Sequence, residues 1–295
     1  MTRRDHTFNL TLVAPAALIL CFFIVFPIFQ SILLSLRRIV ISLPALGMPF
    51  VGLENYLHLL KDPVALHSFW ITLVFVGATT FFELLIGLLL AVVIHQRFPG
   101  RGTLRACVLI PWAIPTVVAA QMWRFLLNDA YGMVNYMAFG ADASRYIAWL
   151  AQPGTALAAI IIADVWKTSS FAALLILAGL QVIPEELYQA ARVDGAGTWN
   201  CFRHITWPLI RPALLIALLF RTIDAFRVFD LAFVMTQGGP ADATNVLQLY
   251  GYKKMFVEGF MGYGSAVSVC IFLIVMILAV VYVKVVGRRV LGESW

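Results

Sequence analysis

The chain has 295 residues, of which 62% are hydrophobic and 12% charged, with a formal net charge of +6 and a mean hydropathy of +0.90. A soluble domain carries roughly 25% charged residues, so this composition excludes an ordinary water-soluble fold. The basic residues do not gather into a patch. Scattered between apolar runs, they argue against nucleic acid and for orientation in a membrane.

A spanning helix needs about 20 mostly apolar residues, and six segments meet that need: Phe8–Phe29, Phe69–Ile94, Cys107–Leu127, Thr155–Leu180, Ala213–Val234 and Gly262–Val283. The first follows Arg3 and Arg4, runs uncharged to Leu36 and has no small-residue cleavage site, so it predicts a retained span and not a removed signal. The second holds Glu83, read as a polar interhelical contact, and is followed by His95 at the membrane edge. Pro111 and Pro115 interrupt the third, which predicts a kinked or broken helix whose freed carbonyls are satisfied by neighbours. No repeat or linker divides the chain, so residues 1–295 read as one all-α membrane domain.

Orientation follows from Lys and Arg in the connections. With both termini inside, Arg3, Arg4, Arg97, Arg101, Arg105, Arg192, Arg203, Arg211, Lys284, Arg288 and Arg289 fall on the cytoplasmic side. Arg37, Arg38, Lys61, Arg124, Arg145, Lys253 and Lys254 fall outside, and Lys167, Arg221 and Arg227 lie within spans. The bias favours cytoplasmic termini. Cys21, Cys107, Cys201 and Cys270 show no CxxC or His/Cys ligand spacing and read as apolar fillers, with no metal site expected.

The connection between spans four and five is the most informative stretch. Pro184 predicts a helix start, with Glu185 and Glu186 in the first turn where the dipole favours anions. Ala190 and Ala191 permit close approach of another helix, and Gly195 suits a C-terminal cap. A second short helix is expected from about Thr198 to Ile205, stopping before Pro208. Physics alone leaves two readings, a docking element that projects into the cytoplasm or an amphipathic hairpin lying at the interface.

The run Gln189-Ala190-Ala191-Arg192-Val193-Asp194-Gly195-Ala196, followed by Phe202, Ile205, Pro208 and Pro212, resembles the EAA loop of ABC importer permeases. Gln189 stands where that loop has Glu, and Trp207 where it has Leu. The resemblance implies a type I importer permease fold with a coupling loop at about 184–207, in which Gln189, Ala190, Ala191, Asp194, Gly195 and Ala196 dock onto a nucleotide-binding subunit. Phe226-Arg227-Val228-Phe229-Asp230, then Thr236-Gln237-Gly238-Gly239-Pro240, Thr244, Tyr250, Tyr252, Phe256 and Gly262-Tyr263-Gly264-Ser265-Ala266, is similar to the larger permease of maltose-type carbohydrate importers. That likeness implies an extra N-terminal helix at about 8–36, a core at about 69–285 and a second, non-identical permease partner. Two ATP-binding subunits, an extracytoplasmic solute-binding protein and residence in the bacterial inner membrane are implied with it. No G-x-x-x-x-G-K-[ST] pattern occurs, so ATP and Mg are expected on the partner subunits, with no cofactor and no enzymatic activity of this chain's own.

Charges at membrane depth cost several kcal/mol, about 2.5–3.5 on insertion scales, and face protein or a cavity. Spans four and five carry Asp164, Lys167, Arg221, Asp224, Arg227 and Asp230. Arg221, Asp224, Ala225 and Val228 have i, i+3, i+4, i+7 spacing, and Lys167, Thr168 and Phe171 share a face of span four. The resemblance places these seven on sugar-lining faces, although their types depart from the family's Ser, Asn and Tyr. Carboxylate and guanidinium groups bind paired hydroxyls and Phe171 can stack on a pyranose. The other reading is that Arg221 and Asp224 simply pair within one helix. The expected function is sugar import, of a disaccharide or short oligosaccharide such as trehalose or maltose. The alternatives are the same fold carrying glycerol phosphate or another polyol, or a channel without an ATPase.

Overall fold

A computed structural model describes residues 13–96 and 98–291, apart from the side chains of Leu46 and of 285–291. Arg3, Arg4, Arg97 and the expected start of span one at Phe8 lie outside the described residues, as do the side chains of Arg288 and Arg289. In chain order the helices are α1 (Val13–Ser35), α2 (Glu54–Leu59), α3 (Pro63–His95), α4 (Arg101–Ala113), α5 (Thr116–Leu126), α6 (Met133–Phe139) and α7 (Pro153–Gln181). There follow α8 (Glu185–Val193), α9 (Thr198–Cys201), α10 (Trp207–Phe226), α11 (Asp230–Met235), α12 (Leu247–Tyr252) and α13 (Met261–Leu291). Among the described residues, α1, α3, α7 and α13 are long and apolar enough to cross a membrane, and the bent pair α4–α5 adds a fifth if it is one span. The 20 residues of α10 reach about 30 Å, long enough for the sixth expected span, although α10 is not among the helices both long and apolar enough. The expected all-α architecture with apolar spanning helices is borne out among the described residues.

Two units divide the contacts, one of the chain up to Leu66 with Tyr250–Leu273, the other of His67–Leu249 with the chain from Ile274. In the first, Asp62 accepts hydrogen bonds from the hydroxyls of Tyr250 at 2.5 Å and Tyr263 at 3.1 Å. Its other oxygen accepts from the amides of Val64 and Ala65, capping α3. Burial raises the acid's pKa, but these four donors outweigh it and hold Asp62 below the usual carboxylate range. Gly262 packs where a Cβ would lie 2.0 Å from the carbonyl oxygen of Arg37, so the Gly-Tyr-Gly run is required by backbone contact.

The second unit is built inside out relative to a soluble protein. The buried face of α3 carries Ser68, Thr72, Phe75, Thr79 and Glu83, while Trp70, Phe81, Leu85 and Leu89 face outward. Polar groups turn to protein and apolar groups to lipid, as a span requires. Small residues let α7 approach its neighbours. A Cβ on Gly87 of α3 would meet that of Ala172 at 2.9 Å, and one on Gly179 would meet that of Ala213 in α10 at 2.3 Å. Gly179→Ala is therefore expected to cost about 1–3 kcal/mol by overpacking, whereas Gly77→Ala, which enters open space, should be neutral. Melting temperatures of the purified variants check this, and equal values would contradict the close approach.

Two boundaries differ from expectation. The short helix beyond Thr198 does not stop before Pro208. It passes through a π turn (Phe202–Thr206) straight into α10, and the missing amide of Pro208 falls just after that π turn, where the regular ladder of hydrogen bonds is already shifted. Span five correspondingly ends at Phe226, and Arg227 and Val228 bond back to Asp224 and Ala225 in a tight turn. Val228 is therefore off the helix and does not continue the face of Arg221.

Candidate functional site

Three helices converge on one guanidinium. Arg221 of α10 is 2% exposed, and its Nε and Nη2 donate to the two oxygens of Glu83 of α3, at 2.5 and 2.9 Å. Nη2 also reaches Asp164 of α7 at 3.4 Å, and Nη1 donates to Asp224, one turn on, at 2.6 Å. The Thr168 hydroxyl lies 2.5 Å from Glu83 Oε1. Glu83 is wholly buried, whereas the Asp224 side chain is 68% exposed. Arg221 thus spends its donors inside the protein and holds one oxygen of an outward-facing carboxylate. Lys167 and Arg221 each lie fourteen residues from the loop-side ends of their helices, roughly 21 Å at 1.5 Å per residue. Against a hydrocarbon core of about 30 Å, that places both inside the span, nearer the side away from the loop.

An aromatic surface adjoins the cluster. Phe171, one turn along α7 from Lys167, stacks on Trp112 of α4 with centroids 5.6 Å apart and planes 16° from parallel. Phe220 meets Phe171 edge-on at 6.4 Å and precedes Asp224 by one turn of α10. Lys167 donates to the Trp112 carbonyl at 3.3 Å. The α4–α5 pair bends by 90° just beyond, where Ile114 is extended before Pro115.

The connection after α7 forms two short helices. Pro184 is the N-cap of α8, and Glu185 and Glu186 occupy its first turn. At the other end, the Ala196 amide donates to the Ala191 carbonyl at 2.8 Å and the Gly195 amide to Arg192 at 3.1 Å, a Schellman cap with Gly195 at φ +81°. The Tyr188 hydroxyl lies 2.9 Å from that of Thr206, which fixes the angle between the two helices. A cleft of about 1330 Å³ runs beneath, lined in part by Gln96, Arg101, Arg105 and Tyr188. Gln189, Ala190, Asp194 and Gly195 are exposed, and Val193 and Trp199 present bare apolar surface at the tip.

The model of binding-protein-dependent transport system inner membrane components matches residues 83–292. The chain belongs to that family. As a permease it is 41% identical over 285 residues to the trehalose/maltose transport system permease protein of Thermococcus litoralis, covering 97% of this chain and 95% of that one. It is 38% identical to the sulfoquinovosyl glycerol transport system permease protein of Agrobacterium fabrum, over 97% of this chain and 92% of that one. It is also 38% identical to the trehalose transport system permease protein of Mycobacterium tuberculosis, over 95% and 89%. Among solved structures, a chain of a bacterial ABC transporter importing alginate superposes with a TM-score of 0.83 at 22% identity, over 97% of this permease and 96% of that chain. The likeness to ABC importer permeases read from the loop residues holds, and the permease is a transport subunit and not an enzyme.

The permease brings together Lys167, Thr168, Phe171, Arg221 and Asp224, with Ala225 buried one residue on and Val228 outside the group. Two members escaped the sequence reading of the site. Glu83 was legible as a lone acid in an apolar span but not as Arg221's main partner, because the pairing joins residues 138 apart. Trp112 carried no signal at all, being one aromatic in an interrupted segment.

Proposed function

We propose that this permease carries a neutral sugar, a disaccharide or short oligosaccharide, through an ATP-driven importer of the bacterial inner membrane. The observation that carries the reading is its 41% identity, nearly end to end, to a permease named for trehalose and maltose transport. The site supports it. In this reading the exposed Asp224 carboxylate, two residues before the end of α10, looks into a pathway completed by another subunit, beside aromatic rings that suit a sugar's apolar face. Asp224 is the most exposed charge of its cluster, and it disfavours an anionic solute such as glycerol phosphate.

In this reading a second, homologous permease closes the pathway and two ATP-binding subunits engage the 184–207 loop, holding ATP and Mg themselves. An extracytoplasmic solute-binding protein delivers the sugar. Both termini face the cytoplasm, which puts the coupling loop on the ATP side. Closure of the ATPases swings the pathway outward to receive sugar, and hydrolysis resets it.

Asp224→Ala tests the site. It removes an acceptor for sugar hydroxyls, a loss of about 1.5–3 kcal/mol, or about ten- to a hundredfold in transport efficiency. Complex yield and basal ATPase should persist. Poor yield with normal uptake per surviving complex would make the residue a packing group and sink the assignment.

A further inference from the structure

The start of α4 carries the wrong charge for a helix end. Gly100 is its N-cap and no acid occupies the first turn, so that turn gains neither a capping side chain nor a negative charge. The positive end of the helix dipole is left bare, where an anion is favoured. Arg101 opens the helix instead and Arg105 follows one turn later, two cations on one face. Both line the cleft of about 1330 Å³ beneath the 184–207 loop, and the Nε of Arg105 is buried without a hydrogen-bond partner. An unpaired buried donor is costly, more so on a charged group. Arg192 of α8 adds a third guanidinium to the lining, and among the described residues none of the three is in an ion pair. Glu185 and His95 also line the cleft but already have partners, which leaves the exposed Glu186 against three cations. The cleft lies where the spanning helices stop, with α3 ending at His95 and α7 at Gln181. Val182, just past that end, is 80% exposed and lines the cleft as well.

We propose that this cleft holds the phosphate headgroup of an anionic phospholipid, bound by Arg101 and Arg105 with Arg192 alongside. Guanidinium forks match phosphate oxygens in pairs, and a phosphate gives the Arg105 Nε the acceptor it lacks. A free inorganic anion would use the cations alone. A lipid uses the apolar wall too, setting its glycerol and upper acyl carbons against Val182, in the manner of basic pockets between spanning helices. The bound headgroup bridges α4 and α8, and so ties the third span to the loop. The choice of leaflet rests on the orientation proposed above, and the headgroup site itself does not.

The test uses the assembled complex in detergent, given phosphatidylglycerol or phosphatidylcholine. Retained lipid is counted by native mass spectrometry, with melting temperature and complex yield read alongside. The wild type should retain phosphatidylglycerol over phosphatidylcholine by about tenfold or more, the worth of one hydrogen bond to a charged group, and should melt higher with it. Changing Arg101 and Arg105 together to glutamine should abolish both the preference and the melting shift, and changing both to lysine, which keeps the charge, should recover part of each. Arg192→Gln, at an exposed position, should lower the preference about two- to fivefold even if the glutamine pair assembles poorly. Undiminished preference in either glutamine variant would overturn the site. Displacement of the lipid by inorganic phosphate or glycerol phosphate, with the same rise in melting temperature, would make this a soluble-anion site and overturn the lipid assignment. Loss of the ATPase subunits from the glutamine pair with its lipid preference intact would place the cations in a subunit interface and overturn it too. Retention is read whichever leaflet the cleft faces, so the site and the orientation fail separately.

Discussion

Replacing Arg221 with methionine should destabilise the permease by about 3–5 kcal/mol, the range for removing one partner from a buried ion pair. The cause is what remains. Glu83, fully buried in α3, loses both of its guanidinium hydrogen bonds, and Asp164 loses the cation that offsets it. Of its partners, Glu83 keeps the Thr168 hydroxyl 2.5 Å away. Since Arg221 joins acids of α3 and α7 to α10, the loss should appear as a lower melting temperature and poor recovery of assembled complex. A double change of Glu83 and Arg221 to methionine should recover most of the loss, because well-packed apolar groups replace a buried pair at little cost. Additive losses in the double variant would contradict the pairing.

Gly195→Pro should abolish coupling while leaving membrane insertion intact. Gly195 has φ +81°, and proline is confined near −65°, so the turn between α8 and α9 cannot form. Proline also removes the amide that donates to Arg192, breaking the Schellman cap. The two helices then lose their relative angle, and Val193 and Trp199 no longer present one surface. Substrate-stimulated ATPase of the reconstituted complex should fall to the unstimulated rate, and uptake should fall to background. Undiminished stimulation would mean that this loop is not the element through which ATP hydrolysis reaches the pathway.

The legibility of this fold varied with the range of the interactions behind it. Spans two and four were readable nearly to their ends, because a long apolar run bounded by Asp62, Pro153 and the polar loop residues is a local property. The Pro115 break was legible for the same reason, since proline acts on its own neighbours. Span five was misplaced because its boundary depends on Pro208 being tolerated just after a π turn, which hydropathy does not reveal, and on a tight turn after Phe226. That error carried Val228 into the expected site. The first helix of the 184–207 loop was legible to its ends, which are set locally by Pro184 and Gly195, whereas the second runs on past its expected stop.

The site was legible only in part. Charges on α7 and α10 were visible, and membrane depth alone required them to find partners. Which partners they found depends on contacts such as Arg221 with Glu83 and Lys167 with the Trp112 carbonyl, both made across helices. Spacing within one helix suggested that Arg221 and Asp224 act alike. The fold instead divides them, burying the cation among acids and leaving the Asp224 carboxylate exposed.

The central claim is that this chain forms the path of an ATP-driven sugar importer, and uptake of labelled trehalose or maltose into proteoliposomes holding the assembled complex tests it most directly. Accumulation should require both the solute-binding protein on the outer face and ATP on the face of the 184–207 loop, and should be lost when either is omitted. Equal sugar flux without ATP would contradict the account and point to a channel, and no flux of either sugar under full conditions would contradict the assigned substrate class.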